Sequence, residues 1–219
     1  MTNLRIRLAL LTAMLAVATL VTFSVVHAAP FEKIKIHRMG GEIAVDDASD
    51  GADLETMGGD IRVTRSHNLL HAHTMGGNIE IGSADGSVNV QTMGGNIQIA
   101  SASGSVTAET MGGNVTTHIH NPISPGMHDI KLSSMGGNIE FTVPKDFPMA
   151  IEVTLTWTKK NAGRYKIVDN LGLTQSTSED WDTWHGDPRK STYAKGRTGD
   201  GKNRVTIKTI NGDITIKSE

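Results

Sequence analysis

The stretch MGGNIEIGSADGSVNVQT, residues 75–92, is one unit of a repeat that decides the fold of this chain. It holds two segments, 78–81 and 87–92, in which apolar and polar residues alternate. Alternation with a period of two indicates β-strands with one buried face. A glycine-bounded turn at 82–86 and the Met-Gly-Gly corner at 75–77 separate the strands, and glycines this frequent argue against helices.

Copies of this unit recur along the chain in register. Met-Gly-Gly begins at six positions, separated by four intervals of 18 residues and one of 24, namely Met39, Met57, Met75, Met93, Met111 and Met135. A degenerate seventh copy lies at residues 210–214. Stacking the copies aligns like residues in columns that neighbouring coils bury together, at a spacing of about 4.8 Å. The sequence therefore predicts an all-β fold, a single-stranded parallel β-solenoid of about seven 18-residue coils.

A meander of antiparallel β-hairpins is the alternative, because hairpins also alternate apolar and polar residues. Hairpins do not require identical residues at an interval of 18, whereas parallel in-register stacking favours them through side-chain ladders. The solenoid is therefore the preferred interpretation.

The recurring pattern Val-x-Val-x-Thr-Met-Gly-Gly-Asn-Ile-x-Ile, with a late variant at residues 205–216, resembles the bacterial putative-adhesin family. These are exported β-strand-repeat proteins of toast-rack type, largely of unknown function. The resemblance covers about residues 33–156 and 204–217. It implies the fold, but the family has no agreed catalytic residues, so it implies no activity, cofactor or site residue for this chain.

The N-terminus has the features of an export signal. Arg5 and Arg7 precede a mostly apolar run at residues 8–26, and small residues ending at Ala28 suit a signal peptidase. An uncleaved run would instead anchor the chain in a membrane. We expect a periplasmic or secreted protein with two parts, a signal peptide at 1–28 and a β-solenoid domain at 29–219.

The composition narrows the class of partner. The chain has 219 residues, a formal net charge of −2 and no cysteine, which excludes disulfides and a lipid-modified cysteine. Loss of Arg5 and Arg7 with the signal would make it more acidic, which argues against nucleic acid as a partner. An envelope protein or a glycan remains open as the partner, and so does the oligomeric state.

The most regular columns have a structural interpretation. The corner glycines permit the bend, and the amides that follow form a ladder between coils or bond the local backbone. These repeat residues include Gly58, Gly59, Gly76, Gly77, Gly94, Gly95, Asn78, Asn96 and Asn114. Thr74, Thr92 and their equivalents are expected to bond within the solenoid. We expect the Met column to fill a tapered end of the core, the alternative being an exposed apolar stripe.

Two pairs of histidines are spaced so that both imidazoles of a pair lie on one strand face. They are His71 with His73 and His118 with His120. Such a pair is a candidate metal site, although two ligands alone bind weakly. The pairs lie about three coils apart and at different points around the coil, so they cannot share one ion. Solvated surface histidines are the alternative interpretation.

The repeat ends at Pro144, and the aromatic residues gather beyond it. Regular coils are expected at 33–156, an irregular capping insertion at 157–203 and closing strands at 204–217. In the insertion, Trp181, Asp182 and Trp184, with Tyr165, form a candidate platform for a sugar or peptide. The alternative is a cap that covers the solenoid end and prevents edge-to-edge aggregation.

Three functions remain, of which a non-catalytic cell-envelope scaffold or adhesin-like binding module is preferred. The others are a glycan-binding or carbohydrate-active protein that uses the Trp-rich insertion, and metal sequestration by the histidine pairs. Within residues 39–142 no group of residues breaks the columns as a catalytic cleft would, so we expect no enzyme and no cofactor. Function is expected where the repeat breaks, at 118–128 and in the Trp-rich insertion.

Overall fold

Two β-sheets built from eighteen strands make up the described chain. The computed structural model describes residues 32–120, 127–183 and 186–219, so the predicted signal peptide at 1–28 lies outside it. The strands all belong to one compact unit, Lys33–Glu219. A three-residue 3₁₀ helix, Lys159–Asn161, is the only helix in the described ranges.

The first sheet has ten strands, most of them parallel. In spatial order they are β1 (Ile34–Arg38), β3 (Ala52–Thr56), β5 (Leu70–Thr74), β7 (Val88–Thr92), β9 (Val106–Thr110), β11 (Asp129–Ser134), β17 (Asn203–Ile210), β13 (Met149–Thr158), β16 (Arg189–Thr198) and β15 (Thr174–Thr177). Strand β16 runs opposite to the other strands of this sheet, so its pairings with β13 and β15 are antiparallel.

The second sheet has eight parallel strands. In spatial order they are β2 (Ile43–Ala48), β4 (Ile61–Ser66), β6 (Ile79–Ala84), β8 (Ile97–Ala102), β10 (Val115–Ile119), β12 (Ile139–Val143), β18 (Ile214–Ser218) and β14 (Ile167–Asp169). The prediction of an all-β parallel solenoid is confirmed, and the hairpin meander is wrong for the repeat region because successive coils pair in parallel.

The core lies between the two sheets and follows the predicted columns. Ile61 pairs with Ile79 and Ile79 with Ile97, and all three are buried. Leu54, Ala72 and Val90 form the facing column on the first sheet. Alternate residues on each strand point inward, so each coil contributes a few small aliphatic side chains that only its neighbours can cover.

Hydroxyl and amide side chains form hydrogen bonds between the corners of successive coils. Thr92 Oγ1 donates to the carbonyl of Gly77 at the preceding corner at 2.8 Å and accepts from the amide of Gly95 at its own corner at 3.2 Å. Asn78 Oδ1 accepts from the amide of Asn96 in the next coil at 2.9 Å. The asparagine ladder therefore bonds mainly to backbone amides of the neighbouring coil, and the threonines bond within the solenoid as expected.

The methionine column does not fill the core, which contradicts the prediction. Met57, Met75 and Met93 are 48%, 43% and 44% exposed, while the threonine before each is buried. The cause is the strand alternation, which continues through the threonine into the corner. Because the threonine hydroxyl must reach the corner carbonyl and amide inside, the next side chain points to solvent.

The closing strands lie inside the sheets rather than at their end. Strand β17 pairs with β11 on one side and with β13 on the other, and β18 lies between β12 and β14. The degenerate corner stacks directly on the last Met-Gly-Gly corner, since Thr209 Oγ1 donates to the carbonyl of Gly137 at 2.7 Å. The seventh copy is therefore a true coil, held between its neighbours.

The capping insertion is more regular than the sequence suggested. Three strands, β14, β15 and β16, lie within 157–203, and ten residue pairs join β13 to the antiparallel β16. Trp157 and Tyr165 pack partly buried against the core. Both side chains thus bury apolar surface against the core, and the capping role of the insertion stays a prediction.

Candidate functional surfaces

An apolar ridge runs along the corner between the two sheets. We define the methionine ridge as the side chains of Met39, Met57, Met75, Met93, Met111 and Met135, which are 43–83% exposed. Neighbouring corners are about 4.8 Å apart, so the ridge is about 24 Å long. Each methionine is followed by two glycines, which have no side chain to cover the thioether. The ridge is therefore a continuous uncovered apolar stripe.

The N-terminal end of the ridge borders an open cavity of about 340 Å³. Its lining combines thioethers with imidazole and charged groups, namely His37, Arg38, Met39, Glu55, Thr56, Met57, His73 and Met75. His37 Nδ1 lies 2.8 Å from Glu55 Oε2. The outer face of the first sheet and the ridge thus meet in one concave surface.

A mixed cluster of carboxylates and imidazole lies on the outer face of the first sheet, beside this cavity. Asp53 and Glu55 are on β3, and His71 is on β5 directly opposite Asp53. One potential ligand atom from each of the three lies within 4.8 Å of the other two. All three side chains are half-buried. This arrangement can hold a cation.

The two predicted histidine pairs lie on different sheets. His71 and His73 are half-buried on the outer face of β5 in the first sheet. His118, on β10 of the second sheet, and His120 just after it are exposed and line an open cavity of about 300 Å³. The pairs share no surface, as expected from their positions in the coil. Metal binding by His118 and His120 stays a prediction.

The predicted aromatic platform is distributed over two sheet edges. Tyr165 precedes β14, at the edge of the second sheet, and Arg164 lies over its ring at 5.6 Å from the centroid. Trp181 and Asp182 lie between β15 and β16 of the first sheet, where Lys190 Nζ is 5.2 Å from the Trp181 ring centroid. The backbone of Asp182 forms an isolated antiparallel β-bridge with the backbone of Arg189. Trp184 lies outside the described residues, so the platform stays a prediction.

Ion pairs connect successive coils on the outer face of the second sheet. Arg62 donates to Glu80 at 2.9 Å and to Glu42 at 3.0 Å, and the hydrogen bond to Glu80 raises the pKa of the guanidinium above its ordinary value. Lys217 donates to Glu140 at 2.6 Å, and this bond raises the pKa of its ammonium group. These groups are exposed, so solvent screens them and they contribute little to stability.

Comparison with known families identifies the repeat. Residues 23–142, more than half of the chain, match the model of the family described as Toastrack DUF4097. The chain belongs to the Toastrack DUF4097 family. The match begins before the first strand and ends in β12 of this toast-rack chain, so it covers the regular coils. The capping strands and the closing coil lie beyond it.

One solved structure is similar to this toast-rack chain over most of its length. It is a putative cell adhesion protein from Clostridium sporogenes, with 11% sequence identity, a TM-score of 0.36, and coverage of 86% of this chain and 93% of that one. No curated protein matches the sequence. Among the described residues, no helix has the length and apolar character needed to cross a membrane.

Sequence reasoning found His71 but missed the carboxylates beside it. The signal was the 18-residue register of the toast-rack repeat, which places Asp53 opposite His71. The predicted pair lies along one strand, but the nearest neighbours of a side chain lie on the adjacent strands. The distance between adjacent strands is shorter than the distance between alternate residues on one strand. Asp47, in the same stretch of sequence, does not join the cluster, since its carboxylate lies 3.7 Å from Arg65 on the second sheet.

Proposed function

We propose that this chain is a non-catalytic, adhesin-like binding scaffold of the cell envelope, which presents the methionine ridge to an apolar segment of another protein. The observation that carries this proposal is the exposure of six stacked thioethers along one corner of the solenoid. The export signal inferred at residues 1–28 supports a location outside the cytoplasm.

The physical character of the ridge favours a protein partner. Exposed contiguous apolar surface is uncommon on soluble proteins and marks sites of interaction. Thioethers are polarisable and flexible, so a row of them adapts its shape to a partner's side chains. The coils fix the spacing of the row, because hydroxyl side chains, threonine at most corners and Ser134 at one, bond each corner to the one before it. A partner segment would therefore bind a preformed apolar ridge in which the backbone is fixed and the thioether groups can adjust.

Site-specific photocrosslinking on intact cells of the native host tests the proposal. A photoreactive residue replaces Met93 on the ridge, and a matched control replaces Gln98, which is also exposed but lies on the outer face of the second sheet. We expect a discrete protein adduct from position 93 and none of that mass from position 98. The adduct should disappear when Met75 and Met111 are both replaced by Gln, which keeps length and flexibility but adds a polar amide.

Two outcomes would overturn the proposal. One is the same set of adducts from positions 93 and 98, which would indicate contact without a preferred face. The other is an adduct at position 93 that persists in the Met75→Gln, Met111→Gln background. Circular dichroism of each variant must match the wild-type protein, so that loss of the adduct reports on the ridge and not on folding.

A further inference from the structure

The outer face of the first sheet brings together three residues that have metal-binding groups. Asp53 and Glu55 are alternate residues on β3, so both point to the outer face. His71 lies next to Asp53 in the parallel register of β3 and β5. The three potential ligand atoms lie within 4.8 Å of one another on half-buried side chains.

This geometry needs little adjustment to enclose an ion. Around a tetrahedral Zn²⁺ with bonds of about 2.0–2.2 Å, ligand atoms are about 3.3–3.6 Å apart. The present separations are at most 4.8 Å, so side-chain rotations that move the ligand atoms by no more than about 1.5 Å close them while the strands stay in place. Because the side chains are half-buried, the remaining coordination positions are open to water.

The ligand chemistry selects the class of ion. Two carboxylate oxygens and one imidazole nitrogen suit divalent first-row metals such as Zn²⁺. A soft monovalent ion such as Cu⁺ prefers sulfur ligands, and Ca²⁺ takes six to eight oxygens, which this set does not provide. The cluster is therefore suited to an ion of the zinc type.

Neighbouring residues supply supporting contacts. His37 Nδ1 lies 2.8 Å from Glu55 Oε2, a hydrogen bond that orients this carboxylate. Asn89 Oδ1, which follows His71 in register on β7, is buried and finds no hydrogen-bond partner among the described residues. It is available to accept the imidazole N–H that does not face the ion, as metal-bound histidines usually require. Lys33 Nζ, 4.0 Å from Asp53 Oδ2, is the local cation that a metal would displace.

We infer that Asp53, Glu55 and His71 form a binding site for a divalent transition-metal ion of the zinc type, with Glu55 oriented by His37. The ion links two successive coils across β3 and β5. The metal site shares no residue with the methionine ridge, since no methionine is among its ligands. The inference stands or falls independently of the proposed function.

Titration calorimetry of the full chain, produced without a histidine tag and freed of metal, tests the site with Zn²⁺. We expect one equivalent to bind, and Asp53→Asn, Glu55→Gln and His71→Ala each to weaken binding at least about tenfold, because outer-shell changes alone already cost that much. His67→Ala is the matched control, since it removes an exposed histidine from the turn after β4 of the other sheet, and it should bind as the wild type does.

Thermal unfolding provides a second readout that does not depend on the heat of metal binding. Zn²⁺ at about a hundred times its dissociation constant should raise the Tm by about 5–10 °C, reversibly with a chelator, and Mg²⁺ or Ca²⁺ should not. The three site variants should lose the shift while keeping the metal-free Tm of the wild type. No binding at micromolar protein would overturn the inference. So would binding that His67→Ala abolishes or that all three site variants retain.

Discussion

At the residue scale, the two glycines of the third corner, Gly76 and Gly77, have different physical roles. A Cβ on Gly77 would lie 2.0 Å from the carbonyl oxygen of Gly59, whereas a Cβ on Gly76 would have no atom nearer than 3.9 Å. Neither glycine has a positive φ angle. The second glycine is thus required by the close approach of stacked backbones, and the bend itself does not demand it.

We predict opposite tolerance at these neighbouring positions. Gly77→Ala should lower the free energy of unfolding by about 3 kcal/mol, because the clash is with backbone and forces two coils apart. Gly76→Ala should change it by less than about 0.5 kcal/mol, since the methyl group points into open space. Urea unfolding followed by circular dichroism measures both. Equal losses would show that the bend, and not the coil spacing, requires glycine.

At the element scale, β10 carries the one residue that breaks an otherwise apolar column of the second sheet. Thr117 pairs with Ile99 on one side and with Phe141 on the other. It is fully buried, and its hydroxyl has no hydrogen-bond partner among the described residues. The strand therefore buries a polar group without compensation, in contrast to the corner threonines.

We predict that Thr117→Val stabilises the protein by about 1 kcal/mol, because valine has the same shape and removes the unsatisfied hydroxyl. The matched substitution Thr92→Val should destabilise it by about 1–3 kcal/mol, since the carbonyl of Gly77 and the amide of Gly95 lose their partner. Differential scanning calorimetry should show the two Tm shifts with opposite signs. A lower Tm for Thr117→Val would mean that this hydroxyl is bonded after all.

The position of β17 also belongs to this scale. Strand β17 lies between β11 and β13, although about fifty residues separate it from β13 along the chain. Asn203 anchors its start, since its Oδ1 accepts from the His128 amide at 3.0 Å and its Nδ2 donates to the Pro148 carbonyl at 2.8 Å. A strand paired on both edges, as β17 is, cannot fray as an edge strand can.

At the scale of the whole molecule, the methionines of the described residues lie in two environments. The ridge thioethers face solvent, while Met149 on β13 is fully buried. The solenoid can therefore change the chemistry of its ridge without changing its core. This separation is what a binding scaffold requires.

We predict that mild peroxide treatment converts the ridge methionines to sulfoxides and leaves Met149 unmodified. The Tm should then move by less than about 3 °C, because the added oxygens lie in water and no core contact is lost. Peptide mass spectrometry and thermal melting measure the two effects on one sample. Oxidation of Met149 at the same rate as Met93, or a large fall in Tm, would contradict the separation.

The sequence by itself determined the parallel coils, their register and the core columns, because an 18-residue period with alternating apolar residues is satisfied only by stacking. It also placed the corner threonines inside. The direction of the methionines depended on how far that alternation continues into the corner, which only the three-dimensional backbone shows. Likewise, Asp53, Glu55 and His71 meet only across neighbouring strands. The insertion of β17 and the regular cap follow from contacts beyond Pro144, where the period ends and tertiary packing alone decides the strand order.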